Sequence, residues 1–390
     1  MSNDLIPFDS LKPVFDAQGA DAGLDALLKQ LREGGNPHAL FRALLLKKRR
    51  ELGLPLINPG DLSGVPANVR KDYEAYVEET CRETGLTYLK EGKIADAWRY
   101  FRTIGDGDRT ALREAIEKLD PQAASDEVLN IALDEGVHPK RGFEIVLARD
   151  GLCRAITLFE QARSADQAFK RHAAGLLAEK LYTELVVGVS KQIFERFNEV
   201  PPETDLVELI RHRPWLFENA RTHADPSHVS AVSRIGLLSD TQPRQLMSLS
   251  ISEYGRKLDR RHAAATEAPF EAGFDDHARY ARALLGENTD ETIGYFTAKL
   301  VSYETNGADV LAAEWIVSLI WRAGKRKRAL ELWAQYLGEQ MPETPGVYIP
   351  SFYDLCTEAN EFGILADMAR KQGDITAWAS ACILAQKAPG

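Results

Sequence analysis

The amino-acid sequence predicts an all-α protein built from stacked helical hairpins. Apolar residues recur three and four positions apart in most of its segments, which is the spacing of one face of an α-helix. These segments have the length of hairpin helices, and glycine, proline or asparagine separates them. No stretch alternates apolar and polar residues with period two between hairpin turns. We therefore expect antiparallel hairpins that stack into a right-handed superhelix, irregular in its middle.

The composition is that of an ordinary soluble protein with a sizeable core. The 390-residue chain is 44% hydrophobic and 27% charged, and it carries a net charge of −10. A negative average charge disfavours general binding to nucleic acid or to anionic lipid. No window approaches the ~20 apolar residues of a membrane span, and the N-terminus lacks the apolar run of a secretory signal. We expect a cytoplasmic protein with no membrane segment and no general affinity for nucleic acid.

The four cysteines agree with a cytoplasmic location. They lie far apart in the sequence and form no CxxC pair, so they do not indicate a disulfide framework. Most of them fall within apolar helical patterns. We expect all four to be reduced: Cys81, Cys153, Cys356 and Cys382.

The N-terminal segment predicts a leader followed by two helices. Residues 1–20 are expected to form a partly extended leader. The next stretch places leucines at helical spacing and stops at a glycine pair. Asn36 is then an N-cap candidate with Pro37 at the first helical position, and the basic run 47–50 closes this second helix where the helix dipole favours cations. Residues 55–66 are rich in proline and glycine and predict a loop.

The stretch Cys81–Ile104 encodes the clearest helical hairpin. Small residues beside aromatic ones let the two helix backbones approach each other. The small and aromatic positions come in this order: Gly85, Tyr88, Gly92, Ala97 and Phe101. This order resembles the tetratricopeptide repeat (TPR), whose motif has a small residue, an aromatic, a turn glycine, an alanine and an aromatic at these spacings. The resemblance implies a TPR-like α-solenoid.

The match departs from the family at three positions. Cys81 and Thr84 stand where the family prefers Trp and Leu, and Arg109 stands at its proline position.

Three other strings, HALFRALLLKKRRELGLPL, FDDHARYARALLG and AWRYFRTIGD, are similar to an uncharacterised bacterial family of helical-repeat proteins, and this similarity implies no activity. The C-terminal region repeats the register of the first hairpin at six positions: Ala313, Val317, Ile320, Gly324, Ala329 and Trp333.

The remaining capping residues, glycines and prolines predict short helices, one long helix, an irregular stretch and further hairpins. Short helices are expected between residues 110 and 147, with Ser125 as an N-cap. Residues 165–197 form one long apolar helix in which Gly188 is a point of bending or breaking. Residues 211–277 are irregular and hold five of the eight histidines. The predicted domains are the leader, 1–20, a helical-repeat region, 21–265, and a C-terminal TPR-like region, 266–390.

One group of histidines and aspartates from the irregular stretch could hold a divalent metal. Such ligands, converging from two helix starts, suit this kind of ion, and the hypothesis makes the protein an all-α metal-dependent enzyme. The spacing matches no zinc or di-iron motif, and Asp225 before Pro226 is already explained as an N-cap. We therefore favour helix capping and surface histidines, with no metal and no cofactor. The six candidates are His223, Asp225, His228, Asp275, Asp276 and His277.

His172 lies in the long apolar helix, with Glu179 and Glu184 nearby in sequence. It could act as a buried acid–base group, but such a histidine is more often a core residue with satisfied hydrogen bonds. No GxSxG, GxxxxGK or GxGxxG string occurs, which excludes the serine-nucleophile and phosphate-loop motifs. No catalytic residue is predicted.

The sharpest charge feature is a basic turn in the C-terminal region. Its side chains could clamp a carboxylate or phosphate of a partner; a solvated turn is the alternative. The candidate binding residues are Arg322, Lys325, Arg326 and Arg328. The sequence thus predicts a non-catalytic protein-interaction or scaffold module whose helical-repeat surface takes a protein or peptide partner.

Overall fold

The computed structural model describes residues 8–57, 62, 64–105, 109–162, 166–259, 262, 267–304, 310–338, 343 and 345–386. Within these ranges the chain is helical and has no β-strand, which confirms the predicted class. The first helices are α1 (Phe8–Glu33), α2 (Pro37–Glu51), α3 (Ala67–Lys90), α4 (Ile94–Phe101), α5 (Thr110–Glu117), α6 (Asp126–Leu133) and α7 (Pro139–Gln161). They are followed by α8 (Gln167–Phe197), α9 (Leu206–Arg211), α10 (Pro226–Ile235), α11 (Gln242–Gly255), α12 (Phe274–Leu284), α13 (Thr289–Glu304), α14 (Val310–Arg322), α15 (Arg326–Tyr336), α16 (Phe352–Ala359), α17 (Phe362–Gln372) and α18 (Ile375–Ala385).

The chain divides into two compact units, Met1–Ile145 and Val146–Gly390. The division differs from the boundary that we expected near residue 266. There α11 and α12 pack against each other, and a Cβ atom on Gly255 would lie 2.4 Å from the ring of Phe274. Because this spacing is shorter than an ordinary van der Waals contact, only a glycine lets the two helices meet in this way. The irregular middle and the C-terminal helices therefore belong to one unit.

In the first unit, α1 and α2 form an N-terminal hairpin. The leader, expected to be partly extended, is helical from Phe8 onwards. α1 kinks once, and Phe15 packs against the backbone at Gly23 beyond the kink. The leader therefore packs against the helical segment that follows it. Asn36 caps α2 as predicted, because its Oδ1 accepts a hydrogen bond from the Ala39 N–H at 3.0 Å.

The hairpin of α3 and α4 has the seam that the sequence predicts. Gly85 lies against Phe101, and a Cβ atom at Gly85 would meet that ring at 2.6 Å. Ala97 and Phe101 are fully buried. Gly92 closes the turn with a φ of +73°, a left-handed conformation that glycine adopts without strain. The small residues thus allow the close helix approach that the sequence indicates.

The short helices after this hairpin follow the prediction at their start and depart from it at their end. Ser125 caps α6, since its Oγ accepts a hydrogen bond from the Val128 N–H at 3.3 Å. The next helix, α7, was expected to stop near residue 147. Instead it continues to Gln161 with one kink at Gly151, where φ is +81°.

The long helix predicted over 165–197 is present as α8 in the second unit. Leu181 and Val189 on this helix are fully buried, and α9, α10 and α11 pack against it. Gly188 lies within a continuous helix. A Cβ atom there would lie 3.1 Å from the backbone oxygen of His223. The absence of a side chain at Gly188 therefore leaves room for the backbone of His223. The predicted bend or break is wrong.

Towards the C-terminus, α12 packs on α13, α14 on α15, and both α16 and α18 on α17. Trp333 of α15 stacks on Phe352 of α16 with ring centroids 4.5 Å apart. In the described part of the chain, no helix is long and apolar enough to cross a membrane. The side chains that set the predicted hairpin register are buried here: Ala313, Val317, Ile320, Ala329 and Trp333.

The four cysteines are free thiols in the structure. Cys81 and Cys356 lie in the core as expected, whereas Cys153 is exposed and Cys382 is half-buried. Burial raises the pKa of the Cys356 thiol to about 12, so this thiol stays protonated at neutral pH.

Ala97→Glu should destabilise the α3–α4 hairpin strongly. Ala97 is fully buried, so the glutamate would place an unpaired charge between two helices, at a cost on the order of several kcal/mol. Urea denaturation measures the loss. Arg99→Glu is the matched control on the same helix, because the Arg99 side chain is 66% exposed; we expect a change of about 0.5 kcal/mol. Wild-type stability of the Ala97 variant would show that the seam register is wrong.

Candidate functional site

The basic turn between α14 and α15 is not a uniform surface cluster. Arg322 points into the fold, where its guanidinium donates hydrogen bonds to the backbone carbonyls of Leu237 and Ser239. Burial lowers the pKa of Arg322. These donors are used within the unit, so Arg322 ties the basic turn to the segment between α10 and α11.

The other three candidate residues lie at the surface, and two of them pair with acidic neighbours. Lys325 Nζ is 2.6 Å from the Asp290 carboxylate, and Arg326 is 2.8 Å from Glu358. Arg328 is exposed and adds to the positive charge that lowers the pKa of Asp290, after the larger effect of Lys325. The turn is therefore largely compensated by negative charges from α13 and α16.

A cleft of about 380 Å³ is lined by residues of α12 and α13, by the turn between them, and by Arg256 and Ala272 outside the helices. Asp290 links the two features, because it pairs with Lys325 and precedes Glu291, which lines the cleft. The lining is polar and carries charges of both signs. We name the cleft and the basic turn together the turn-end surface; its basic members are Arg256, Arg279, Arg282, Lys325, Arg326 and Arg328.

The sequence prediction did not single out the three arginines of the cleft. Arg256 Nε lies 2.5 Å from the Asp275 carboxylate, and the guanidinium of Arg279 lies 4.6 Å from the centroid of the Tyr295 ring. Arg279 and Arg282 stand three residues apart on α12, a spacing that places them on one helix face. That spacing was the available signal. The positions of Arg256 and of the α13 residues in the cleft depend on long-range packing, which the sequence pattern does not show.

Asp275 and Asp276, both candidates for the metal site, lie in different surroundings. Asp276 is 1% exposed. Its carboxylate accepts hydrogen bonds from the Tyr295 hydroxyl at 2.8 Å and from Lys299 Nζ at 2.7 Å. The Asp275 side chain is 66% exposed and pairs with Arg256. The Asp276 carboxylate is thus matched inside the fold by an ammonium group and a hydroxyl.

His277 lies in the core. Its Nδ1 is 2.8 Å from Ser233 Oγ, and that hydroxyl donates to the Ser230 carbonyl at 2.9 Å. Because the hydroxyl has one proton, we assign the imidazole proton to Nδ1, which donates to Oγ. Nε2 is buried and has no hydrogen-bond partner among the described residues. Burial lowers the pKa of His277 to about 3, so the ring is neutral at neutral pH.

His223 joins α8 to α11 through both ring nitrogens. Its Nε2 donates to the side-chain oxygen of Gln192. Its Nδ1 accepts from the Tyr254 hydroxyl at 2.8 Å, and its backbone N–H donates to the same oxygen at 2.9 Å. Burial, and to a smaller extent the charge of Arg221, lowers the pKa of His223 to about 4. This histidine is a neutral bridge in the core.

The proposed metal ligands therefore do not assemble into one site. Asp225 caps α10 as predicted, accepting from the Ser227 N–H at 2.8 Å. His223, Asp276 and His277 have the partners given above. In the ranges that the structure describes, no group of three or more His, Cys, Asp or Glu side chains could hold a metal ion.

His172 is half-buried on α8, and the two glutamates considered as its partners pair with cations. Glu179 accepts from Arg244 of α11 at 3.0 Å, and Glu184 lies 3.4 Å from Lys180 on α8 itself. Both carboxylates thus contribute to surface ion pairs.

Comparison of the chain with protein-family models, with curated proteins and with solved structures finds no match. Its function must therefore be inferred from the geometry of its own residues.

Asp276→Asn and Asp275→Asn should differ in their effect on stability. The first substitution removes a buried carboxylate charge bound by Lys299 and by the Tyr295 hydroxyl, while Lys299 keeps Glu271 as a second partner. The loss should therefore lie below the about 3–5 kcal/mol of breaking a buried pair completely, but above that of the second substitution. The second changes an exposed side chain in a surface ion pair, which is worth about 1 kcal/mol or less. Urea denaturation of both variants measures the difference. Equal losses would contradict the distinct surroundings of these neighbouring carboxylates.

The protein should lose stability as the pH falls from 7 to 5. His223 and His277 have folded-state pKa values of about 4 and about 3, below the ~6.5 of an unfolded histidine. The unfolded state therefore takes up protons first, and stability that is present above pH ~6.5 is lost as the pH falls towards the folded pKa values. The expected loss is about 2 kcal/mol per histidine between pH 7 and 5.

Urea denaturation at pH 7 and pH 5 checks this expectation, with His277→Gln as the comparison. Glutamine has no proton to gain in this range, so the variant should lose about half of the pH dependence, whatever its stability at pH 7. An unchanged pH dependence in the variant would contradict a buried, neutral His277.

Proposed function

We propose that this protein is a non-catalytic protein-interaction module, a TPR-like right-handed α-solenoid that serves as a scaffold in the cytoplasm. Its partner is a protein or peptide that binds at the turn-end surface. One observation carries this proposal: charges of both signs line one polar cleft at the α12–α13 turn, and Lys325 of the α14–α15 turn pairs with Asp290 next to that lining in sequence.

The turn-end surface can exchange its internal ion pairs for pairs with a partner. The Lys325 side chain is 37% exposed and that of Asp290 is 80% exposed. Exposed ion pairs contribute about 0–1 kcal/mol, so a carboxylate of the partner can replace Asp290 at little cost. Arg326 and Glu358 offer the same exchange.

The cleft adds specificity to this surface. Arg279 and Arg282 pair with Glu291 and Glu253 within the unit. If these pairs exchange, their planar guanidinium groups can bind carboxylates of a partner through two parallel hydrogen bonds. Glu287 and Glu291 line the same cleft and repel additional negative charge. The expected ligand is therefore a segment in which acidic side chains are separated by neutral or basic ones.

The alternative function, an all-α metal-dependent enzyme centred on residues 211–277, has no comparable support. Its candidate ligands cap a helix, bridge α8 to α11, or pair with Lys299. We therefore retain the interaction module.

Reversing two charges, Lys325→Glu with Arg328→Glu, tests the turn-end surface. Folding should be nearly unchanged, within about 0.5 kcal/mol for each surface substitution. Protein partners that wild type retains from a cell lysate should be lost. The association rate with such a partner, once purified, should fall roughly tenfold at low salt and less at high salt, because salt screens charge steering.

Lys29→Glu with Lys118→Glu is the matched control in the first unit. Each substitution removes two units of charge, so both double variants change the net charge from −10 to −14. The control should bind partners as wild type does. Equal loss in both variants would indicate a general charge effect, and unchanged association rates at low salt would exclude the turn-end surface as the binding site.

A further inference from the structure

Residues 345–350, with the sequence PGVYIP, form a non-helical segment between α15 and α16. We name this segment the strap. Side chains of α8, α10 and α14 contact it, and most of their hydrogen bonds go to its backbone. We name the groove that these side chains form the strap slot.

Two residues at the start of α8 bind the carbonyl groups of the strap. The side-chain amide nitrogen of Gln167 lies 2.9 Å from the Gly346 oxygen and 3.3 Å from the Ile349 oxygen. Lys170 Nζ lies 2.5 Å from the Val347 oxygen. The strap bends at residues 347–349, and side-chain donors that bind its backbone carbonyls recognise this non-helical segment through groups that every residue has.

Glu314 of α14 binds a backbone N–H group of the strap. Its carboxylate accepts a hydrogen bond from the backbone N–H of Tyr348 at 2.9 Å. The same carboxylate approaches Gly346, where a Cβ atom would lie 2.6 Å from Oε1. The strap slot therefore engages acceptors and a donor of the strap backbone, and it favours glycine at position 346, where a side chain would have to displace the Glu314 carboxylate.

Two side chains of the strap are also recognised. The Tyr348 ring stacks on Trp315 of α14, with centroids 4.4 Å apart and planes inclined by 28°. The Tyr348 hydroxyl lies 3.4 Å from Arg234 Nη1 of α10. Ile349 is 1% exposed. The recognised pattern is thus glycine, any residue, an aromatic residue and an aliphatic residue.

The strap slot contains charged side chains as well as the apolar ring of Trp315. Lys170 is 3% exposed and Glu314 is 1% exposed while the strap is in place. Burial lowers the pKa of Lys170, and the nearby charge of Glu314 opposes this shift. When the strap leaves, water can hydrate both charges, whereas an exposed apolar core face would gain no such solvation. A slot with such side chains suits a segment that binds reversibly.

We propose that the strap slot is a peptide-binding site and that the strap is its resident intramolecular occupant. The ligand is a short non-helical segment of a partner protein that bends as the strap does, with the pattern glycine, any residue, aromatic, aliphatic. It displaces the strap, accepts the same hydrogen bonds from Gln167 and Lys170, and donates one to the Glu314 carboxylate. The tethered strap competes at a roughly millimolar effective concentration, so the apparent affinity for the ligand is reduced in proportion to the fraction of open slots.

Weakening the strap while leaving its slot intact tests this proposal. The probe is the fluorescein-labelled peptide PGVYIP with blocked termini, and binding is measured by fluorescence anisotropy. Tyr348→Ala removes the ring that stacks on Trp315 but none of the slot residues. This variant should bind the peptide at least tenfold more tightly than wild type, because its strap competes less well.

Two controls show whether the gain arises in the strap slot. Adding Gln167→Ala to Tyr348→Ala should abolish at least nine-tenths of the gain, because the peptide loses the amide that binds its carbonyls. The peptide PGVAIP should bind the Tyr348 variant at least tenfold more weakly than PGVYIP does. A folded Tyr348 variant that binds no more tightly than wild type, or whose binding ignores either control, would overturn the proposal.

Hydrogen exchange of the wild-type protein decides the question if the Tyr348 variant does not fold. The Tyr348 amide should exchange at least tenfold faster than the Ile320 amide in the buried part of α14, because the strap opens without unfolding that helix. Equal protection of the two amides would show that the strap leaves only on global unfolding, and the proposal would then be wrong.

Discussion

Packing in this protein depends on glycines that lie opposite aromatic rings. A Cβ atom at any of these glycines would lie between 2.3 and 2.6 Å from the facing ring, so the contact exists only because the side chain is absent. Caps and turns decide where a segment begins and ends, but these contacts decide how closely two segments approach. The pairs are Gly23 with Phe15, Gly85 with Phe101, and Gly255 with Phe274.

Local signals predicted the helices, whereas long-range contacts determined the candidate sites. The caps at Asn36 and Ser125 depend on residues within three positions, so the sequence carries them. Arg322 is the opposite case, because the carbonyls that it binds lie 85 and 83 residues earlier in the chain. No spacing rule connects such positions. The same limit applies to the strap slot, where Gln167 reaches carbonyls 179 to 182 residues away.

Helix geometry explains why the metal hypothesis grouped residues that the fold separates. Asp275 and Asp276 are adjacent in sequence, but successive residues of an α-helix point about 100° apart. One carboxylate is therefore solvated beside Arg256, while the other is buried with Lys299. The first belongs to a surface whose ion pairs can be exchanged, and the second belongs to a fixed internal pair. Sequence composition counts both as acidic residues and does not distinguish these roles.

The helix α14 contributes to both proposed binding regions. Its N-terminal half supplies Glu314 and Trp315 to the strap slot, and its C-terminal end carries Arg322 at the base of the basic turn. Glu314 and Arg322 are eight residues apart, which is about 12 Å along the helix axis. A displacement of α14 that accompanies strap release would therefore also alter the turn-end surface. Because such coupling is reciprocal in free energy, a ligand that favours one position of α14 at the turn must then change the affinity of the strap slot by the same factor.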